Sequence, residues 1–256
     1  MAIWGGRPHA ATPRAVETAR EPAALPSSDI HANGMALRVA AAIRQRRGRT
    51  TCDHGRMQAA RAWRVEPLTP SRRDDFLAFF DHERGRAFAD NPAWSGCYCH
   101  YFHVAPALWE TLDASANRIA MQARIDVAEM EGYLAFDDAD RVAGWLNAQP
   151  RHRAPHCFAR LEIPPTPLDV PAHRAAVVLC FVIDPSLRRR GVAQALLAHA
   201  LDDLRSRGIV LVDAFPARAA QSASAHFRGP PELFARSGFA PLMETDACIV
   251  MRRPLA

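Results

Sequence analysis

The chain contains no lysine: all 32 of its basic residues other than histidine are arginine. That absence removes Schiff-base catalysis on a lysine amine and the phosphate-binding lysine of a Walker loop. Long hydrophobic runs are missing too. The longest purely apolar stretch, Ala175–Ile183, has nine residues, against roughly 20 for a membrane helix, so no membrane partner is expected. Cysteine is sparse, with six in 256 residues, far below the density of a disulfide scaffold. Neither GxxxxGK[ST] nor G-x-G-x-x-G occurs, which excludes the P-loop and the Rossmann fingerprint. What remains, 49 % hydrophobic and 23 % charged residues, is the composition of an ordinary globular domain.

Charge is unevenly placed. Residues 1–62 carry ten Arg against four acids (Glu17, Glu21, Asp29, Asp53), whereas 63–256 carry 22 Arg against 23 acids. The basic balance therefore belongs to the N-terminal segment. A nucleic-acid partner is not expected, because its footprint should sit on a folded face. Residues 1–62 mix Pro, Gly, Ser, Ala and Arg with few large side chains and read as a disordered basic extension. Within it, Met35–Arg47 has the pattern of a basic helix, and a translation start at Met57 or at Met35 is a further hypothesis. Arg7 interrupts the start before any apolar h-region, so no secretory signal is read and a cytoplasmic setting is expected.

From Trp63 the texture changes to that of one α/β domain, 63–256. Trp63–Leu68 reads as a short strand. Ser71–His82 reads as an amphipathic helix capped by Ser71, with Phe76, Phe79 and Phe80 on one side. One or two helices are expected in 106–130. Glu131–Asp137 and Arg141–Asn147 form a hairpin, and Cys157–Ile163 suggests a short strand. Ala175–Ile183 is a continuous β-branched run, hence a strand buried on both faces. Val192–Arg207 follows as a helix with Leu196, Leu197, Leu201 and Leu204 on its apolar side, and Gly208 stops it. Ile209–Phe215 is a second buried strand, Pro231 opens a short helix ended by Gly238, and Met243–Met251 is a final strand. Strand, turn, helix and strand at this spacing make a βαβ crossover, placing both buried strands in one sheet.

The turn Arg188-Arg189-Arg190-Gly191-Val192-Ala193 joins a buried strand to a helix N-terminus. Backbone N–H groups without intrahelical partners and the positive end of the helix dipole converge there. They make an anion site suited to phosphate or pyrophosphate, with Gly191 allowing close approach and three Arg adding charge. This pattern, Arg188-x-x-Gly191-x-Ala193 after FVIDPSLR, resembles the acyl-CoA pyrophosphate loop of GNAT-superfamily N-acetyltransferases, an uncharacterised bacterial subgroup of them. LFARSGF (Leu233–Phe239) is similar to the family's helix-to-Gly-Phe segment, and YLAFDDADRVAGWLNAQPR to its preceding hairpin. The resemblance covers about Val65 to Arg253.

It implies a mixed, twisted sheet flanked by helices, with two splayed central strands, Ala175–Ile183 and Ile209–Phe215, holding acetyl-CoA as co-substrate. Main-chain groups of Phe181, Val182 and Ile183 would pair with the pantetheine arm. The segment Arg188, Arg189, Arg190, Gly191, Val192, Ala193 and Gln194 would hold the pyrophosphate, and no metal is expected. A primary amine, on a small molecule or a peptide, would attack the thioester directly. Asp213 is the candidate base, with Glu162 behind it, and Asp184 reads as a turn residue. Phe234 stands where the family usually has the Tyr that protonates the departing thiolate, so Ser222, Ser224, His226 or solvent would supply that proton. A non-catalytic acyl-CoA-binding module is the alternative, and a homodimer is compatible with the pattern. Cys97-Tyr98-Cys99-His100-Tyr101-Phe102-His103 is too crowded for a structural zinc site and reads best as an aromatic wall near the acceptor pocket.

Overall fold

The computed structural model describes residues 63–81, 85–218 and 222–255. The expected extension, its helix at 35–47 and the alternative starts lie outside the described residues. In chain order the elements are β1 (Arg64–Pro67), α1 (Arg73–Phe80), α2 (Pro106–Trp109), α3 (Ala114–Asp126), β2 (Tyr133–Phe136), β3 (Val142–Pro150), α4 (Cys157–Leu161), β4 (Ala175–Ile183), α5 (Val192–Ser206), β5 (Leu211–Ala214), α6 (Pro231–Arg236), β6 (Ala240–Glu244) and β7 (Ile249–Pro254). Short 3₁₀ turns fill several connections. The strands form one sheet in the order β1-β2-β3-β4-β5-β7-β6. The β4–β5 pair is parallel, as the crossover requires, and its neighbours are antiparallel.

Two apolar layers flank this sheet. On one face α5 lays Leu196, Leu197, Leu201 and Leu204 against Ala143, Leu146, Ala148, Ala176 and Val178, joined by Leu233 and Phe234 of α6. On the other, Phe76, Phe79 and Phe80 of α1 and Met121 and Ile125 of α3 cover Trp145, Val177, Leu179, Cys180 and Val182. Phe76 meets Trp145 edge-on, ring centroids 4.9 Å apart. All nine residues of β3 are buried, so both its faces are covered, and Gly144 sits where α5 comes closest. A Cβ there would lie 2.7 Å from Ile183 Cδ1 and 3.0 Å from Val192 Cγ1, and larger residues would push the helix start off the sheet.

Three local expectations are corrected. Ser71 does not cap α1. Pro70 opens a 3₁₀ turn that moves the helix start to Arg73, and the Ser71 hydroxyl pairs with that of Thr69 at 2.9 Å. The segment expected as a strand at 157–163 is the helix α4. Its Cys157, Phe158 and Leu161 recur at helical spacing and are buried, with Phe158 edge-on to Phe215 at 5.8 Å. The single strand expected at 243–251 is instead a hairpin of β6 and β7. The backbone N–H groups of Thr245 and Cys248 donate to the Cys248 carbonyl and the Thr245 hydroxyl respectively, closing the turn between them.

Candidate active site

Strands β4 and β5 pair from Ala175↔Leu211 to Val178↔Ala214, and there β5 ends. Strand β4 runs on to Ile183 against β3. Its register slips at the point of divergence. Asn147 faces Cys180 and Ala148 faces Val178, so Leu179 is an extra residue on β4. This β-bulge places Leu179 and Cys180 on the same face, bends the strand away from its neighbour, and leaves a seam beside Leu179–Ile183.

A cavity of about 650 Å³ opens along that seam to the N-terminus of α5. It is lined by Phe181, Val182, Ile183, Arg188, Arg189, Gly191, Val192, Ala193 and Gln194. These are nine of the ten residues expected to hold the pyrophosphate and pantetheine. Arg190, the tenth, does not line it. Its carbonyl accepts from Trp63 Nε1 at 2.9 Å, tying the turn to the strand edge. Phe88, His226, Phe227 and Glu232 complete much of the wall. Sequence reasoning missed Phe88 and Phe227 because tertiary packing brings them in: Trp94 stacks edge-on to both, at 5.7 and 5.9 Å.

The turn has the shape of an anion cradle. Arg189 and Gly191 both take left-handed conformations, φ 63° and 85°, which turns successive N–H groups inward. The 15-residue helix α5 adds its dipole behind them. Arg188 contributes to this cradle otherwise than expected. Its guanidinium holds Asp90 through two bonds of 2.6 and 2.9 Å, and that pairing keeps the Asp90 carboxyl below its usual range. Arg86 likewise pairs with Asp184 at 2.6 Å, while Asp184 accepts from the Ser186 N–H and hydroxyl, the turn role expected of it. The free charge at the mouth therefore comes from Arg189, with Arg236 across the opening.

Asp213 does not have the placement of a base. It is buried on β5 with both oxygens on Arg252, at 2.7 and 3.0 Å, and accepts from the Thr166 hydroxyl at 2.7 Å. It is not among the cavity-lining residues. The pair instead anchors the 151–174 excursion, since Arg252 also donates to the Pro167 carbonyl and Arg151 to Thr166. Glu162 is exposed at the left-handed C-terminus of α4, away from the cavity lining. Phe234 is fully buried between Phe181 and Phe239, with centroids at 6.0 and 5.3 Å.

The 97–103 segment packs on the far face of the seam. Asn147 donates to Cys99 Sγ at 3.3 Å, Gln149 donates to Asn147 Oδ1 at 2.6 Å and lies 3.3 Å from His103. Burial opposes ionisation of Cys99, yet hydrogen bonds from Cys180, Trp145 and Asn147 outweigh it and lower the thiol below its usual range. Burial pushes Cys97 up to about 12 and His103 down to about 3, leaving a neutral imidazole. The described residues contain no group of three or more metal-ligating side chains, and no helix among them is long and apolar enough to cross a membrane.

A mixed sheet opened between two parallel strands, with an anion cradle at the mouth of the opening, is the frame of an acyltransferase. Residues 94–227, over half the chain, match the model of the Acetyltransferase (GNAT) family, and the chain belongs to that family. Solved structures with a similar chain path include PaiA N-acetyltransferase from Thermoplasma acidophilum in complex with coenzyme A (12 % identity, 76 % of this chain and 99 % of that one, TM-score 0.44). Others are the GNAT domain of S. lividans PAT (19 %, 75 % and 90 %, 0.48) and the ribosomal-protein-S18-alanine N-acetyltransferase of Escherichia coli (15 %, 76 % and 95 %, 0.40). No curated protein sequence matches the chain.

Proposed function

We propose that the chain moves the acetyl group of acetyl-CoA to a primary amine by direct attack on the thioester. The observation that carries this reading is the continuity of one cavity from the unpaired edge of β4 to the anion cradle of α5. The cradle amides of Arg189–Gln194 would take the pyrophosphate. Main-chain groups of Phe181–Ile183 would pair with the pantetheine arm and polarise the thioester carbonyl. The amine must first shed a proton to expose its lone pair. A C–N bond then forms, the C–S bond breaks, the new amide loses the second amine proton, and the thiolate takes one up. The balance is one amide, one free thiol and one proton released to solvent.

With Phe234 unable to donate and Asp213 held by Arg252, His226 is the side chain we assign to thiolate protonation. It lines the cavity, and its imidazole nitrogens can both donate and accept a proton. Calorimetric titration of the protein with acetyl-CoA, with ATP as the comparison, tests the cradle. Binding of acetyl-CoA but not ATP, followed by thiol release on adding amines, supports the reading. Absence of acetyl-CoA binding at millimolar ligand overturns it.

A further inference from the structure

Followed back from the cradle along β4, the cavity is lined by Ile183, Val182 and Phe181, and not by Cys180 or Leu179. Its inner end is therefore at the Phe181 ring. Gly229 and Leu233 also line the cavity. At this end the Gly229 backbone is pressed against two rings. A Cβ on it would lie 2.8 and 3.1 Å from Phe234 Cε2 and Cζ, and 3.2 Å from Phe181 Cε2. Phe234 is not in the wall itself. Its fully buried ring stands directly behind the wall, with its centroid 6.0 Å from that of Phe181 and 5.3 Å from that of Phe239 beyond it. The side chains meeting there, those of Phe181, Leu233, Phe234 and Phe239, are all hydrocarbon and belong to one buried cluster.

With a pyrophosphate at the cradle and a pantetheine arm along Ile183, Val182 and Phe181, the thioester and its acyl group come to this inner end. What stands behind the thioester then sets how long an acyl chain fits. The chemistry of the end suits hydrocarbon, since a methylene that finds an apolar site gains roughly fourfold in affinity. Its packing refuses hydrocarbon, because extra methylenes forced into a filled core are a steric cost. The ring of Phe234 makes the difference. It fills the space that adjoins both Phe181 and Gly229.

We propose that Phe234 sets the acyl length of the donor: its ring, acting through Phe181 and Gly229, closes the inner end of the cavity behind an acetyl group and excludes CoA thioesters with acyl chains of four or more carbons. This inference rests on the acetyl-transfer reading and adds the residue that selects the donor. Phe234 touches no reacting atom and is a positioning residue, so its signature is a change in the order of preference among thioesters rather than a general loss of binding.

The test is calorimetric titration of the full chain with acetyl-CoA, butyryl-CoA and hexanoyl-CoA, which needs no acceptor. The unaltered protein is expected to bind butyryl-CoA and hexanoyl-CoA at least about tenfold more weakly than acetyl-CoA. Phe234→Ala leaves an apolar space beside the wall and should reverse the order, with butyryl-CoA about fourfold to tenfold tighter than acetyl-CoA. Phe234→Leu is the gentler replacement if Phe234→Ala does not fold, and should narrow the acetyl preference. Phe239→Leu disturbs the same cluster away from the cavity and should leave the preference as it was. The comparison among thioesters on the unaltered protein depends on no variant. If acetyl-CoA binds and the longer thioesters bind as well, or a folded variant at 234 keeps the full acetyl preference, the inference is overturned and the acetyl-transfer reading survives. If acetyl-CoA itself does not bind, both fall.

Discussion

Arg188 and Asp90 stand 98 residues apart in the chain and meet through two charge-assisted hydrogen bonds of 2.6 and 2.9 Å. With Arg86–Asp184 beside it, the pair fastens the 85–97 segment to the turn that leads into α5. The wall of the cavity and its anion cradle are thereby one mechanical unit, and Phe88, between Arg86 and Asp90, is carried into the lining.

Asp90→Asn should loosen this fastening. Both side chains are partly exposed, at 23 % and 33 %, so the expected loss is about 1 kcal/mol or less, read by urea unfolding at pH 7. Because pairing with Arg188 lowers the Asp90 pKa in the folded state, its contribution is complete above the ordinary carboxylate range and disappears as pH falls below about 4. The gap in stability between wild type and variant should close under acid. A gap that widened there would contradict the pairing.

Gly191→Glu places bulk and negative charge at the cradle and an L side chain at φ 85°. Acetyl-CoA affinity should drop by more than about tenfold, an effect of roughly 1.4 kcal/mol. Gly191→Ala carries the backbone strain without the charge and separates the two causes. Calorimetry that returned equal affinities for wild type and Gly191→Glu would remove the turn from the binding site.

Asp213→Asn leaves Arg252 buried without its counter-ion. The side chains are 2 % and 17 % exposed, and breaking a buried pair from one side costs about 3–5 kcal/mol. The expected result is a large fall in thermal midpoint, with the pH–rate profile of the surviving folded protein unchanged. A variant of normal stability whose pH–rate profile had shifted would restore Asp213 as the base.

His226→Gln should lower kcat by about 100-fold, at the modest end of general acid–base effects, without changing the KM for acetyl-CoA. Steady-state thiol release separates the two parameters. An unchanged kcat would leave solvent as the proton source.

The parts of the fold legible in the sequence are those fixed by local chemistry. The β-branched run of β4 and the leucine spacing of α5 each have one reading, and the turn between them follows from Gly191 and the need to start a helix. Elements whose identity depends on neighbours were harder. Cys157–Leu161 satisfies a strand pattern as well as a helical one, and the buried Phe215 ring decides between them. A strand spanning 243–251 could not anticipate the turn closed by Thr245 and Cys248. Asp213 looked catalytic because an acid in an apolar strand invites that reading, and its partner Arg252 is 39 residues away. Phe88 and Phe227 carry no local signal of their place at the cavity.

The extra residue at Leu179 changes the parity of β4. Counting inward from Ala175, odd and even positions exchange faces after it. Phe181 and Ile183 therefore look toward α5 and the cavity, while Cys180 and Val182 look toward the 97–103 segment. Removing one residue here would reverse that assignment for every position up to Asp184. It would turn the Cys180 thiol toward α5 and drive the Phe181 ring into the buried amides of Asn147 and Gln149. The length of this strand, to the single residue, thus decides which side chains lie on the α5 side of the sheet and which on the side of the 97–103 segment.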